Sequence, residues 1–287
     1  MMTSIVQLTD THIREPGRLA YGRLNTAPYL DAAVQSVLAL PQPPTAIIIT
    51  GDLTDFGRAA EYAFFKSMLA PLNAPIYLLP GNHDERSALR DAFPEHTYLG
   101  RDGFIQYAVD VGPIRLIALD TSEPGESSGR LCAERLAWLD TALAESAGKP
   151  VIIAMHHPPF RTLIGHMDKI GLVAGTEELA AIVARYPNVE RIICGHIHRP
   201  IEVRFGGTIA MTGPSVAHQV VLDLDDNAAS AWTLEPPAFR VHAWDAESHQ
   251  VVTHSIHTNY PTLSVESNQG ARFEGPYPFH DNGVLID

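Results

Sequence analysis

The sequence predicts an α/β layered sandwich followed by a β-rich appendage, and three observations support this. Short apolar runs alternate with segments of helical period from residue 4 to about Cys194. After Met211 the alternation stops, and strand-like runs follow one another with no convincing helix. Five of the apolar runs end in Asp, Asn and His: Asp10-Thr11-His12, Gly51-Asp52, Gly81-Asn82-His83-Asp84, His156-His157-Pro158 and Gly195-His196-Ile197-His198.

In chain order, Ser4–Leu8 is a strand delivering Asp10 and His12. Residues 14–24 contain Pro16, Gly17 and Gly22 and are expected to form a loop beside the site, with Tyr21 as a candidate substrate contact. Residues 26–40 are a helix with Ala27, Leu30, Val34, Val37 and Leu38 on one face, stopped by Pro41, Pro43 and Pro44. Strand 46–49, helix Ala59–Leu69, strand Ile76–Leu79 and a short helix 85–93 follow. Residues 104–109 and Ile114–Leu119 are expected to be strands joined at Gly112-Pro113, the second ending at Asp120. Next come helix 133–145, strand Val151–Met155, helix 176–186 capped by Thr176, and strand Val189–Cys194. Ile201–Phe205 and 208–211 flank Gly206-Gly207 as a hairpin. Strands are then expected at 218–224, 229–234, 239–243 and 251–257, and the last twenty residues, rich in Gly, Pro and aromatics, are read as an ordered extension.

With 287 residues, 45% of them hydrophobic, the chain can bury a sizeable core. A net charge of -13 argues against a broad nucleic-acid footprint but leaves room for a small phosphorylated substrate, because bound cations reverse the local field. Two cysteines, Cys132 and Cys194, give no disulfide framework, which fits a reducing, cytoplasmic setting. Neither a signal peptide nor a membrane-spanning run is expected.

Strand ends rich in Asp, Asn and His, without a Cys ligand, suit a site for two metal ions. Hydrolysis of a phosphate ester requires neutralising the phosphoryl oxygens and activating water, and two cations about 3.5–4 Å apart do both. Alternate residues of an extended segment share a side, so Asp10 and His12 can serve one metal. Asp52 is the natural bridge and Asn82 offers an amide oxygen to the second metal. His156, His196 and His198 complete the shells. His83 suits a general acid or a phosphate contact. His157 should point away from its neighbour, and Asp120 lacks a partner histidine.

The five blocks, in this order, resemble the calcineurin-like metallophosphoesterase family over Ile5 to about Gly213. The segment around Tyr21-Gly22, Pro80-Gly81-Asn82-His83-Asp84 and Met155-His156-His157-Pro158-Pro159 are most similar to bacterial glycerophosphodiesterases and class III cyclic-nucleotide phosphodiesterases. The resemblance implies one metal held by Asp10, His12, Asp52 and His198, and another held by Asp52, Asn82, His156 and His196. The metals would be Mn, Fe, Zn or Co. His83 would lie near the leaving group or phosphate, and His218 on the substrate side. The implied fold is a four-layer sandwich of two mixed sheets between helices, at 1–213, with a β-rich cap and dimerisation region at 214–266 and a C-terminal extension at 267–287. No cysteine follows Cys194, so a homodimer or higher oligomer would be held by packing. The implied activity is hydrolysis of small phosphodiesters, cyclic nucleotides or glycerophosphodiesters, by a hydroxide activated on the metals. A phosphomonoesterase and a non-catalytic metal-binding scaffold are the alternatives.

Overall fold

Val- and Ile-rich runs bounded by turn residues become strands buried on both faces, which is why they read as continuous apolar stretches. The computed structural model describes residues 2–258, 274–278, 280–281 and 284–285. The first half runs β1 (Ser4–Leu8), α1 (Ala27–Leu38), β2 (Ala46–Thr50), α2 (Ala59–Leu69), β3 (Ile76–Leu79), α3 (Arg86–Ala92), β4 (Tyr107–Val111), β5 (Ile114–Leu119), β6 (Gly129–Arg130) and α4 (Ala133–Ala144). The second half runs β7 (Val151–Met155), α5 (Gly165–Asp168), β8 (Leu172–Ala174), α6 (Thr176–Val183), β9 (Val189–Cys194), β10 (Ile201–Phe205), β11 (Thr208–Thr212), β12 (Gln219–Val220), β13 (Ala231–Leu234), β14 (Ala238–Asp245), β15 (Gln250–His257) and β16 (Glu274–Pro278).

Two mixed sheets carry the fold, in the orders β15-β14-β1-β2-β3 and β10-β11-β9-β7-β5-β4. Side-chain alternation along the second sheet sorts its residues into two cores. Leu116, Ile152 and Ile193 join Ile5, Val6 and Ile48 of the first sheet. Their neighbours Ile117, Ile153 and Ile192 pack with Leu139 of α4 and Leu179 of α6. Leu30 and Val34 of α1 and Tyr62 and Phe65 of α2 pack with the first sheet. Helix, sheet, sheet and helix therefore stack as expected.

The structure corrects the sequence reading in several places. The sequence places residues 239–243 and 251–257 in the cap, but β14 pairs antiparallel with β1, and β15 with β14. The two-sheet sandwich therefore draws on residues well beyond Gly213, because β1 would otherwise leave an open edge. What stands apart is a small sheet of order β12-β13-β16. Its first strand is only Gln219–Val220, not 218–224. The strand expected at 104–109 begins at Tyr107. Helix α6 is preceded by Gly175 in a left-handed conformation, and the Thr176 hydroxyl bonds the Leu172 carbonyl instead of capping. Residues 259–266 of the expected cap, and 267–273, 279, 282–283 and 286–287 of the C-terminal extension, lie outside the described residues, and β16 pairs with β13.

The ends of β2 and β3 approach so closely that Gly81 has no room for a side chain. A Cβ there would sit 2.1 Å from Asp52 Oδ1 and 2.3 Å from the Asp52 backbone nitrogen. Gly81→Ala should therefore destabilise the protein by about 1–3 kcal/mol and displace Asp52. A thermal melt and a metal count should show a lowered midpoint and lost metal together. An unchanged midpoint with full metal content would contradict this packing.

Candidate metal centre

Strand ends from both sheets deliver the cluster. Asp10 and His12 follow β1, Asp52 follows β2 and Asn82 and His83 follow β3, while His156 follows β7 and His196 and His198 follow β9. Asp10, His12, Asp52, His196 and His198 all have positive φ, between 43° and 69°. This left-handed conformation is uncommon outside glycine but better tolerated by Asp and His.

One group comprises Asp10, His12, Asp52 and His198, whose donor atoms lie within 4.8 Å of one another. His12 Nε2 is 3.2 Å from His198 Nε2 and 3.5 Å from Asp52 Oδ2, and His198 Nε2 is 3.4 Å from Asp10 Oδ1. On the other side of Asp52, His156 Nε2 is 3.3 Å from the same Oδ2 and 3.1 Å from Asn82 Oδ1. One carboxylate oxygen thus faces both groups. His196 stacks edge-on to His156 at 5.2 Å, and its Nε2 is buried without a hydrogen-bond partner among the described residues.

The histidine tautomers follow from what each Nδ1 meets. In His156 it lies 2.9 Å from the Thr50 carbonyl, in His198 3.0 Å from the His218 carbonyl, and in His12 3.2 Å from Asp55 Oδ1. Carbonyls and carboxylates only accept, so Nδ1 donates and Nε2 is left to coordinate, the usual arrangement around a bound metal. Lone pairs and carboxylate oxygens converging on two points, with a buried orphan Nε2, fit two divalent cations.

The charges of the metal-free cluster are correspondingly perturbed. Burial pushes Asp10 up to about 6. Burial also opposes charge on Asp52, but His156 and His83 outweigh it and hold the carboxyl well below its ordinary value. Burial disfavours the imidazolium of His12 and His156, yet Asp55 and Asp52 raise His12 to about 8, and chiefly Asp52 raises His156 to about 9. Burial holds His196, His198 and His218 neutral.

His83 is partly exposed, with Nδ1 2.8 Å from the Asp55 carbonyl, so Nε2 is the nitrogen available on the cavity. Tyr21 and His218 are both buried, joined by Oη and Nε2 at 3.2 Å. Their rings pack with His12 at the edge of the cluster. The cavity above the cluster holds about 240 Å³ and is reached by His12, Tyr21, Asp52, Asn82, His83 and His196.

Two residues weighed from sequence have other work. His157 uses both ring nitrogens, on Thr121 Oγ1 at 2.8 Å and the Ser127 carbonyl at 3.2 Å. Asp120 forms a bidentate pair with Arg86 at 2.7 and 2.9 Å. The sequence reading missed a buried relay. Asp55, which holds His12, is itself 3.3 Å from Arg14 Nη1, and Arg14 Nε is 3.1 Å from Glu61 Oε1. The only signal for Asp55 was its position three residues after Asp52. His166, on the far wall of the cavity, had no motif at all.

Comparison with known proteins places the chain in a family. The family model for calcineurin-like phosphoesterases matches residues 3–200. A probable glycerophosphodiester phosphodiesterase of Arcobacter nitrofigilis is 37% identical over 284 residues, covering 99% of each chain. A probable cyclic nucleotide phosphodiesterase of Rhodopseudomonas palustris is 36% identical over 260 residues, covering 89% of this chain and 92% of its own. Among solved structures, a dimetal phosphatase of Danio rerio superposes with a TM-score of 0.60 at 16% identity, covering 88% of this chain and 98% of its own, a likeness of fold.

Without metal, His12 and His156 should hold protons at neutral pH, and cations must displace them. Adding Mn²⁺ to chelator-treated protein in weak buffer near neutral pH should release protons to an indicator dye; no release would mean the rings are already neutral. Both pKa values lie above the unfolded value of 6.5. Their contribution to metal-free stability is therefore complete below pH 6.5 and is lost as pH rises through about 8 and 9. The melting midpoint of chelated protein should fall across that window. Asp55→Asn keeps the shape but removes the charge that orients His12, and should weaken metal affinity by about 10–100-fold, read by competition with a chelating dye.

Proposed function

The chain belongs to the calcineurin-like phosphoesterase family, and from that premise we propose that it is a binuclear metal-dependent phosphodiesterase acting on small phosphodiesters. The observation that carries the reading is Asp52 Oδ2 set between His12 Nε2 at 3.5 Å and His156 Nε2 at 3.3 Å, on the floor of the cavity. One metal is assigned to Asp10, His12, Asp52 and His198, and the other to Asp52, Asn82, His156 and His196. Nitrogen and oxygen donors without thiolate suit Mn, Fe, Zn or Co. Bound there, two such ions would neutralise phosphoryl oxygens and lower the pKa of a water.

The chain's own groups supply the rest. Asp52 holds the two half-sites in register. In its imidazolium form His83, fixed by Nδ1–H on the Asp55 carbonyl, would donate Nε2–H to a phosphoryl oxygen, or give that proton to the departing alkoxide as the ester P–O bond breaks and be left as the neutral ring. Tyr21 and His218 close the side of the cavity and are assigned to the substrate. A volume of about 240 Å³ is small beside the roughly 300–1,000 Å³ of pockets for drug-sized ligands, which supports a compact diester over a polymer or a phosphoprotein. The relatives named for glycerophosphodiesters and cyclic nucleotides support the same class. The proposal includes a reducing, cytoplasmic setting, supported by two unpaired cysteines. It also includes a homodimer formed through the segment after β12, where Leu222 and Leu224 are exposed.

The deciding measurement is kcat/KM for 3′,5′-cyclic AMP and glycerophosphoethanolamine beside p-nitrophenyl phosphate, with manganese-loaded and chelated protein. Chelator-sensitive turnover of a diester above the monoester is expected, and a preference for the monoester would overturn the reading. Asp52→Ala should drop to the chelated background with fewer than two metals per chain. Near-full activity with both metals retained would sink the bridging assignment.

A further inference from the structure

Two buried polar side chains near the inter-sheet core have no place in the metal cluster. Gln7, on β1, is 1% exposed, and His242, on β14, is 0% exposed. In the pairing of β14 with β1, His242 stands opposite Ile5, two residues before Gln7. Both side chains therefore share the face that Ile5 turns toward the second sheet. Polar groups are tolerated there only when hydrogen-bonded, and these are bonded to one another and to the strands that carry the cluster.

The partners fix each orientation. The Cys194 carbonyl only accepts, so the Gln7 amide nitrogen faces it at 3.0 Å and also reaches Thr50 Oγ1 at 3.0 Å. The Gln7 oxygen is then turned to His242 Nε2, 3.1 Å away. Burial, with Arg240 and Arg191 nearby, lowers His242 to about 3, so the ring is neutral. Its Nε2–H donates to Gln7, and its Nδ1 accepts from Thr253 Oγ1 at 2.9 Å. Without that donor the Gln7 oxygen would be buried and unpaired, at a cost that favours turning the amide away.

Both groups that receive the Gln7 amide lead to the same half-site. The Thr50 carbonyl takes the Nδ1–H of His156 at 2.9 Å. Cys194 is followed by Gly195 and His196, and the Gly195 amide donates to the His156 carbonyl at 3.0 Å. The other half-site rests on different supports: His12 Nδ1 on Asp55 and His198 Nδ1 on the His218 carbonyl.

We propose that His242 and Gln7 are positioning residues for the second metal, the one assigned to Asp52, Asn82, His156 and His196, acting through Thr50 on His156 and through Cys194 on His196. This inference rests on the two-metal reading.

The test measures Zn²⁺ affinity by competition with a chelating dye, one half-site at a time. His12→Ala removes a ligand of the first metal and leaves the second site to be read, whereas Asn82→Ala leaves the first. On the His12→Ala background, His242→Phe keeps a ring but removes the donor, and should weaken binding about tenfold. On the Asn82→Ala background the same change should leave affinity within about twofold. His242→Gln, whose amide can still donate to Gln7, should restore part of the loss. Gln7→Met, of similar length and without hydrogen bonds, should give the same selective loss and serves in place of His242→Phe if that variant does not fold. Equal weakening on both backgrounds would mean a general loosening of the sheets, and no weakening on either would mean the bonds do not reach the ligands; each would overturn the proposal. An otherwise unchanged chain that binds fewer than two Zn²⁺ would overturn the two-metal reading and this inference with it.

Discussion

The structure depends on keeping two carboxylates, Asp10 and Asp52, out of water at the ends of adjacent parallel strands. Both are essentially fully buried. Burying a charge is tolerable only with close partners, and here the partners are imidazoles brought from distant strand ends. The geometry that brings them together is strained. Asp10, His12, Asp52, His196 and His198 all occupy the left-handed region, and a non-glycine residue there costs on the order of 1–3 kcal/mol. Such strain persists only where the surroundings over-determine it. The hydrogen bonds past the strand ends do this: Asp10 to the Gly51 carbonyl at 3.1 Å, His12 to Asp52 at 3.0 Å and Ile13 to Leu53 at 3.2 Å. The Asp84 carboxylate adds a staple, receiving the amides of Gly81, Leu53 and Thr54 and the Tyr62 hydroxyl.

Charge explains why a strongly acidic chain can present a site for phosphate. The cluster combines carboxylates with a larger number of histidines, and in the metal-free protein His12 and His156 retain protons while His196 and His198 do not. The cluster thus distributes positive charge where cations belong. The relay from Asp55 through Arg14 to Glu61 extends this outward, pairing buried charges in alternation so that none is stranded.

The clustering of these Asp, Asn and His residues was legible in the sequence because each lies just past a strand end, and strands buried on both faces are easy to see. The edge strands were not. Nothing local in residues 238–257 says that they complete the sheet of β1, a pairing over more than two hundred residues between Val6 and Val241. Hydrophobic period gives a strand's existence but not its partner. The same limit applies to side-chain roles. His157 lies beside a donor in sequence, yet its ring is occupied by Thr121 and Ser127, which only tertiary packing could reveal. Arg14 sat in an expected loop, where an arginine ordinarily means solvent; its burial depends on Asp55 and Glu61 being folded around it.

The centre is also an interface between the two sheets. Asp10, His12, Asp52 and Asn82 come from the first, and His156, His196 and His198 from the second. Gln7, buried in β1, donates to Thr50 Oγ1 within its own sheet and to the Cys194 carbonyl of the other, both at 3.0 Å, and the second bond ties the sheets together. Beside it the Gly195 amide donates to the His156 carbonyl at 3.0 Å, and a Cβ on Gly195 would meet Thr9 Oγ1 at 2.2 Å. A small slip of one sheet against the other would therefore separate Asp52 from His156 while leaving each sheet intact. Close packing resists such a slip, because interdigitated side chains do not slide continuously. The inter-sheet core, built around Ile5, Leu116, Ile152 and Ile193, thus sets the spacing across Asp52 as well as the stability of the fold.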